Sequence, residues 1–138
     1  MLLSPHRTDR LAVGVVAVTA LAGVALWPQL PAEVAIHFGA SGTPDNYVPK
    51  AVGVFLLPAI MLGTLVVVRV SMRVDPPSNP MTGPVVTLAT MGFLSAIHLL
   101  VLAWNAGYPV PLDGILVGSL VWAGLLVAYV VRNEVSWS

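Results

Sequence analysis

The sequence predicts an all-α integral membrane protein with four transmembrane helices and both termini in the cytoplasm. Three observations predict this class. Of the 138 residues, 57% are hydrophobic and only 9% are charged, whereas soluble domains carry about a quarter charged residues. Four uncharged runs approach the roughly 20 residues that a helix needs to cross the hydrocarbon core. Five of the six basic residues flank these runs on the same side, as the positive-inside rule requires.

The first helix is predicted over about 11–29, because no formal charge occurs between Arg10 and Glu33. The other three are predicted over about 51–70, 85–106 and 114–131. Runs of this length are too long for strands, which are usually under about ten residues. Lipid also permits only helices or closed barrels, because every backbone polar group must be paired internally.

A cleaved signal peptide is the alternative interpretation of the first segment, since it has a basic start and an apolar middle. Its apolar stretch is longer than a typical signal core, however, and three further spans follow. Trp27, Trp104, Tyr108 and Tyr129 also fall near predicted membrane interfaces, as aromatic residues of retained spans do. We therefore expect the first segment to remain as a helix.

The connections follow from these spans and from the basic residues. Segment 30–50 is predicted as an external loop and segment 72–83 as a cytoplasmic turn, with prolines that preclude a continuous helix. No linker or internal repeat is present, which predicts a single membrane domain over 1–138, multi-pass in the cell (plasma) membrane. The basic residues placed inside are Arg7, Arg10, Arg69, Arg73 and Arg132, and Lys50 alone lies outside.

Several functional classes lack support in the composition. The formal net charge is zero and no basic tract occurs, so we expect no nucleic-acid partner. Cysteine is absent, which excludes disulfides, thiol catalysis and cysteine-bound metal. Metalloprotease, phosphate-loop and nucleophile-elbow motifs are missing, and the six acidic residues are scattered. We expect no enzymatic activity, no cofactor and no metal site.

The stretch "AIHFGASGTPDNYVPK" is the densest polar cluster in the chain. Its glycine and proline residues predict a turn, and the order of its side chains resembles the signature of a known family. That family is the N-terminal membrane domain, of unknown function, of SdpI-like immunity proteins. The matching residues here are Leu30-Pro31, His37-Phe38, Gly42, Pro44-Asp45, Tyr47 and Lys50, followed by Asp75-Pro76 and Asn79 in the turn "RVDPPSN".

The resemblance covers about residues 11–105 and implies a non-enzymatic integral membrane protein. Its named member protects a producing cell from its own secreted toxin. That member is also similar to signalling proteins that hold a small transcriptional repressor at the membrane. The expected partners are therefore the lipid bilayer, a secreted toxin peptide or a cytoplasmic repressor.

His98 is the only ionisable residue well inside a predicted span, and such groups usually face the protein interior. Asn105 lies on nearly the same helix face, and Ser95 lies one turn earlier. We predict one buried polar cluster of His37, Asp45, His98 and Asn105 beneath the external loop. It is either structural, worth about 0.6 kcal/mol per interhelical hydrogen bond, or a ligand, proton or metal site.

Individual residues leave further alternatives open. His37 either contacts a ligand or holds the loop on the helix ends, and Asp45 closes an Asx-type turn. Lys50 either marks the membrane interface or pairs with Asp45 or Glu33.

The alternative function is a small transport, ion-binding or metal-binding subunit centred on His98. A membrane-embedded hydrolase is the third functional interpretation. Small-residue pairs in the fourth helix permit close packing, within the monomer or in a homo-oligomer; they are Gly114 with Gly118 and Gly124 with Ala128.

Overall fold

The computed structural model describes residues 4–135, which form four long helices in the order that the hydropathy predicts. All four are long and apolar enough to cross a membrane. This confirms the predicted class, a helical multi-pass membrane protein. The helices are α1 (Pro5–Leu26), α2 (Lys50–Val74), α3 (Thr82–Asn105) and α4 (Leu112–Glu134), with a short 3-10 turn, Trp27–Gln29, after α1.

The helix ends extend beyond the apolar runs, because local capping and not hydropathy sets where a helix begins. α1 begins at Pro5 and not near residue 11. The Ser4 hydroxyl accepts a hydrogen bond from the Arg7 amide at 3.3 Å, and Pro5 occupies the first turn, where its missing N–H costs nothing. α2 ends at Val74 and the next helix begins at Thr82. The turn between them is therefore shorter than the predicted 72–83.

Segment 30–50 contains a β-hairpin that the sequence did not predict. Strand β1 (Glu33–Phe38) pairs antiparallel with β2 (Pro44–Pro49), from Glu33 opposite Pro49 to Phe38 opposite Pro44. Gly42 has a φ of +79° in the turn, the left-handed conformation that glycine adopts without strain. The register is irregular on either side of His37. Such bulges redirect side chains.

The packed core is formed by α1, α2 and α3, with α1 packing most extensively against α3. One apolar cluster joins the three helices mid-bundle. A second cluster joins them to the hairpin through Leu30 and Val34. The buried members are Ala12, Val16, Met61, Leu65 and Met91 in the first, and Leu30, Val34, Val54 and Leu102 in the second. The hairpin is therefore continuous with the helical core.

α4 lies at the periphery of the bundle. It has no buried residue and packs mainly on α3, where Phe93 and Trp122 stack with ring centroids 4.1 Å apart. A Cβ placed on Gly118 or on Gly124 would meet no atom within 4 Å. Within the described residues, these two glycines are therefore not used for close packing inside the monomer.

Candidate functional site

The polar residues on α3 connect that helix to three different elements. The Ser95 hydroxyl lies 2.6 Å from the Thr19 hydroxyl on α1. The His98 ring lies beside the backbone carbonyl of Val54 on α2. Asn105 bonds to the backbone of Ala35 on β1. The stripe predicted from the sequence therefore exists, but each member has its own partner.

Asn105 anchors the hairpin to the end of α3. Its Oδ1 accepts a hydrogen bond from the Ala35 amide at 2.8 Å. Its Nδ2 donates to the Ala35 carbonyl at 2.9 Å and to the Val101 carbonyl at 2.8 Å. Because β2 pairs with only one edge of β1, Asn105 takes the place of a neighbouring strand at the other edge.

His37 and Asp45 pair with each other, with 2.5 Å between Nδ1 and Oδ1. Their side chains are 68% and 53% exposed. The single buried cluster of His37, Asp45, His98 and Asn105 is therefore wrong, because the hairpin pair lies at the surface. In a regular strand His37 would lie on the same face as buried Ala35, two residues earlier. The irregular register on either side of His37 breaks that alternation, so its side chain is directed to the surface.

Two aromatic contacts complete the attachment of the hairpin. Phe38 packs edge-to-face on Trp104 of α3, with ring centroids 5.1 Å apart. Lys50 donates from Nζ to the Trp27 carbonyl at 3.1 Å and lies 5.3 Å from the centroid of the Trp27 ring. Among the described residues, Lys50 forms no ion pair with Asp45 or Glu33, the two partners considered from the sequence.

Each motif residue near the hairpin turn has a defined place in the hairpin. Gly42 provides the positive φ. Pro44 begins β2 opposite Phe38. Tyr47 lies opposite Ala35 and is 52% exposed. Together with the exposed His37–Asp45 pair, Tyr47 makes the hairpin a platform that presents polar and aromatic groups to its surroundings.

His98 is a buried polar group in the bundle. It is 5% exposed, and its Nε2 atom is buried without a well-formed hydrogen bond to any described residue. The neighbouring Val54 carbonyl lacks its usual helical partner, because the residue four positions later is Pro58, which has no N–H. Gly23 lets α1 pack closely against α2 at this level, since a Cβ there would lie 3.0 Å from a Val54 methyl group.

The opposite end of the bundle, near the α2–α3 turn, holds a second polar network. The Glu134 carboxylate accepts hydrogen bonds from the Ser78 amide at 2.6 Å, the Asn79 amide at 3.1 Å and the Thr82 hydroxyl at 2.5 Å. The Asn79 side chain also donates from Nδ2 to the side-chain Oδ1 of Asn133 at 3.0 Å. This network attaches the end of α4 to the start of α3.

Of the turn residues selected from the sequence, only Asn79 takes part in that network. Asp75 and Pro76 are exposed. Glu134 was missed because its partners lie more than 50 positions earlier in the chain. Asp9 and Arg69 were also missed, although they form an ion pair at 3.2 Å between α1 and α2. One Asp9 oxygen is buried without a hydrogen-bond partner among the described residues.

Within residues 4–135, no three histidine, aspartate or glutamate side chains converge in a way that could hold a metal ion. The metal interpretation of His98 therefore has no ligand set in the described part of the chain. What the arrangement offers is a hairpin platform with exposed side chains, a buried imidazole beside the Val54 carbonyl, and a carboxylate network at the other end.

One family model matches the chain, that of a domain of unknown function, DUF1648, over residues 14–62. This segment contains most of α1, the whole hairpin and the first half of α2. No curated protein matches the chain, and no solved structure does. The chain is therefore a helical membrane protein containing a segment similar to DUF1648, and that segment carries the hairpin platform.

Proposed function

We propose that this protein is a non-enzymatic, SdpI-like module of the plasma membrane that protects the cell from a secreted peptide toxin. The observation that carries the proposal is the hairpin, a platform anchored to α3 with exposed side chains, inside the segment that matches DUF1648. The residues that carry the resemblance from His37 to Lys50 all lie in this hairpin or where it enters α2.

The proposed orientation places the hairpin outside the cell. Five basic residues lie near the opposite end of the bundle, and Lys50 alone lies at the hairpin end, a distribution that favours cytoplasmic termini. A toxin approaching from outside would then meet His37, Asp45 and Tyr47 first. Aromatic and charged side chains on a fixed backbone are suited to recognition, because little conformational entropy is lost when they bind.

Membrane signalling is a second form of the same proposal. In the proposed orientation, the Glu134 network orders the α2–α3 turn on the cytoplasmic side. An ordered turn could hold a cytoplasmic repressor. Protection and repressor capture are separable, because they use opposite ends of the bundle.

The decisive experiment compares survival of a deletion strain exposed to secreted peptide toxins. The strain would carry the wild-type protein, the double variant His37→Ala/Asp45→Ala, or a control His6→Ala, which changes a histidine at the other end. Protection by the wild type and the control but not by the double variant is the expected result. Equal sensitivity with and without the confirmed wild-type protein would refute immunity.

A transport or ion-binding subunit centred on His98 is the alternative function, favoured by the unpaired Nε2 of that buried ring. It predicts proton or cation flux in liposomes containing the purified protein, lost on His98→Leu. A flux equal to that of protein-free liposomes would remove this alternative.

A further inference from the structure

A groove between α2 and α3 opens on the side of the bundle where His98 lies. Its volume is about 290 Å³, near the lower end of the range for small-molecule sites, roughly 300–1,000 Å³. Aliphatic side chains dominate the lining, including Leu56, Ile60 and Ile97. Leu56 and Ile60 are 43% and 47% exposed, so the outer edge of the groove faces the lipid.

The polar group in this groove is incompletely paired. His98 contributes to the lining, is 5% exposed and has no well-formed hydrogen bond at Nε2. A neutral imidazole has one nitrogen that donates and one that accepts. The Val54 carbonyl beside the ring, left free by Pro58, is the natural partner for the donor. Nε2 is the nitrogen left without a partner, and as the acceptor of the ring it needs a donor that no described residue supplies.

The depth of His98 limits the chemistry of that donor. His98 precedes Asn105, the last residue of α3, by seven positions, which is about 10 Å along the helix at 1.5 Å per residue. Charged groups are costly at this depth in a membrane. A water molecule fits poorly, because a buried water needs two to four polar partners and the rest of the groove is aliphatic.

We propose that the groove binds an uncharged lipid-soluble alcohol. Its hydroxyl donates to the accepting nitrogen of His98, and its apolar body lies along Leu56, Ile60 and Ile97. This ligand class goes beyond the proposed immunity function and does not depend on it, because the groove is separate from the exposed His37–Asp45 pair.

The test uses the full chain, labelled with ¹⁵N-histidine, in lipid nanodiscs. The protein has three histidines, so His6 and His37 serve as internal controls for His98. The probe is farnesol, an isoprenoid alcohol, and the matched control ligand is farnesyl methyl ether, which cannot donate a hydrogen bond. Farnesol should shift the His98 ring ¹⁵N resonances saturably and leave the other two histidines unchanged, and the ether should not shift them.

A pair of tryptophan variants keeps the test independent of folding. Ile60→Trp fills the groove from its lipid-facing edge and should abolish the farnesol shift. Val67→Trp places the same ring at a 64% exposed site of α2 outside the groove and should leave the shift intact. Dispersed signals from all three histidines would show that both variants are folded.

Three results would overturn the proposal. The first is an unchanged His98 resonance at saturating farnesol. The second is an equal shift with the methyl ether, which would mean apolar packing without a hydrogen bond. The third is a cross-peak between His98 and water in the absence of farnesol, which would mean that a buried water already occupies the accepting nitrogen.

Discussion

Replacing Asn105 with leucine should release the hairpin from the end of α3 while leaving the four helices in place. The two side chains have the same number and branching of heavy atoms, but leucine cannot form the three hydrogen bonds that Asn105 makes to Ala35 and Val101. Ala35 is fully buried. The substitution therefore leaves a buried amide and a buried carbonyl of β1 without their side-chain partner.

The magnitude follows from these contacts. The two hydrogen bonds that join Asn105 to the hairpin, at about 0.6 kcal/mol each, give a lower value near 1 kcal/mol. Two buried backbone groups left unpaired, at about 1–3 kcal/mol each, give a central value near 4 kcal/mol. A loss of about 1–4 kcal/mol in the free energy of local opening should accelerate amide exchange in β1 by roughly 5-fold to 700-fold, since 1.4 kcal/mol is about a factor of ten.

Hydrogen–deuterium exchange of the protein in nanodiscs measures this directly, with peptides that cover residues 33–38. The matched control is Asn46→Leu, which changes an exposed asparagine of the same hairpin whose side chain makes no hydrogen bond to the described residues. Exchange in β1 should rise with Asn105→Leu and stay near wild type with Asn46→Leu. An increase of less than about threefold with Asn105→Leu would refute the anchoring role of that side chain.

Three further perturbations test the packing and the orientation. Glu134→Ala removes the acceptor of three hydrogen bonds and should weaken the attachment of α4. The expected readout is faster limited proteolysis after α3, with Glu134→Gln less affected. Gly23→Val places a Cβ 3.0 Å from a Val54 methyl group and should lower the free energy of unfolding by about 1–3 kcal/mol through overpacking, which is measured as a fall in Tm. The control Gly14→Val has open space around it and should show no comparable fall in Tm. Because the chain has no cysteine, the single variants Ser41→Cys and Ser78→Cys report the orientation of the protein in the membrane. A membrane-impermeant maleimide should label Ser41→Cys in intact cells and Ser78→Cys only after permeabilisation. The reverse pattern would overturn the proposed topology.

The hairpin shows where local sequence information was insufficient. Gly42 and Pro44 predicted a turn, which the structure confirms. The flanking strands are only six residues each, and a two-stranded hairpin is at best marginally stable alone. It is held by Asn105 and by the Phe38–Trp104 contact, both contributed by α3. The strands therefore depend on residues that lie far away in the sequence.

The candidate site was also only partly predictable from the sequence. The sequence indicated that His98 and Asn105 face the protein interior, and His98 is buried while Asn105 bonds to the hairpin. It could not assign their partners, because a helix face contacts several elements. Pro58 was visible in the sequence, but its consequence, a free Val54 carbonyl beside His98, required the packing of α2 against α3.

The sequence by itself determined the four helices, because a run without charge has a strong preference for lipid and hydrocarbon leaves the backbone only its own helical hydrogen bonds. Both properties are local. Only the tertiary structure decided the polar contacts: Thr19 with Ser95, Ala35 with Asn105 and Ser78 with Glu134 join residues 76, 70 and 56 positions apart. A hydrogen bond needs its donor and acceptor within about 3 Å in a narrow range of angles. No local preference specifies such a distance, and it is set when apolar packing brings the helices and the hairpin together.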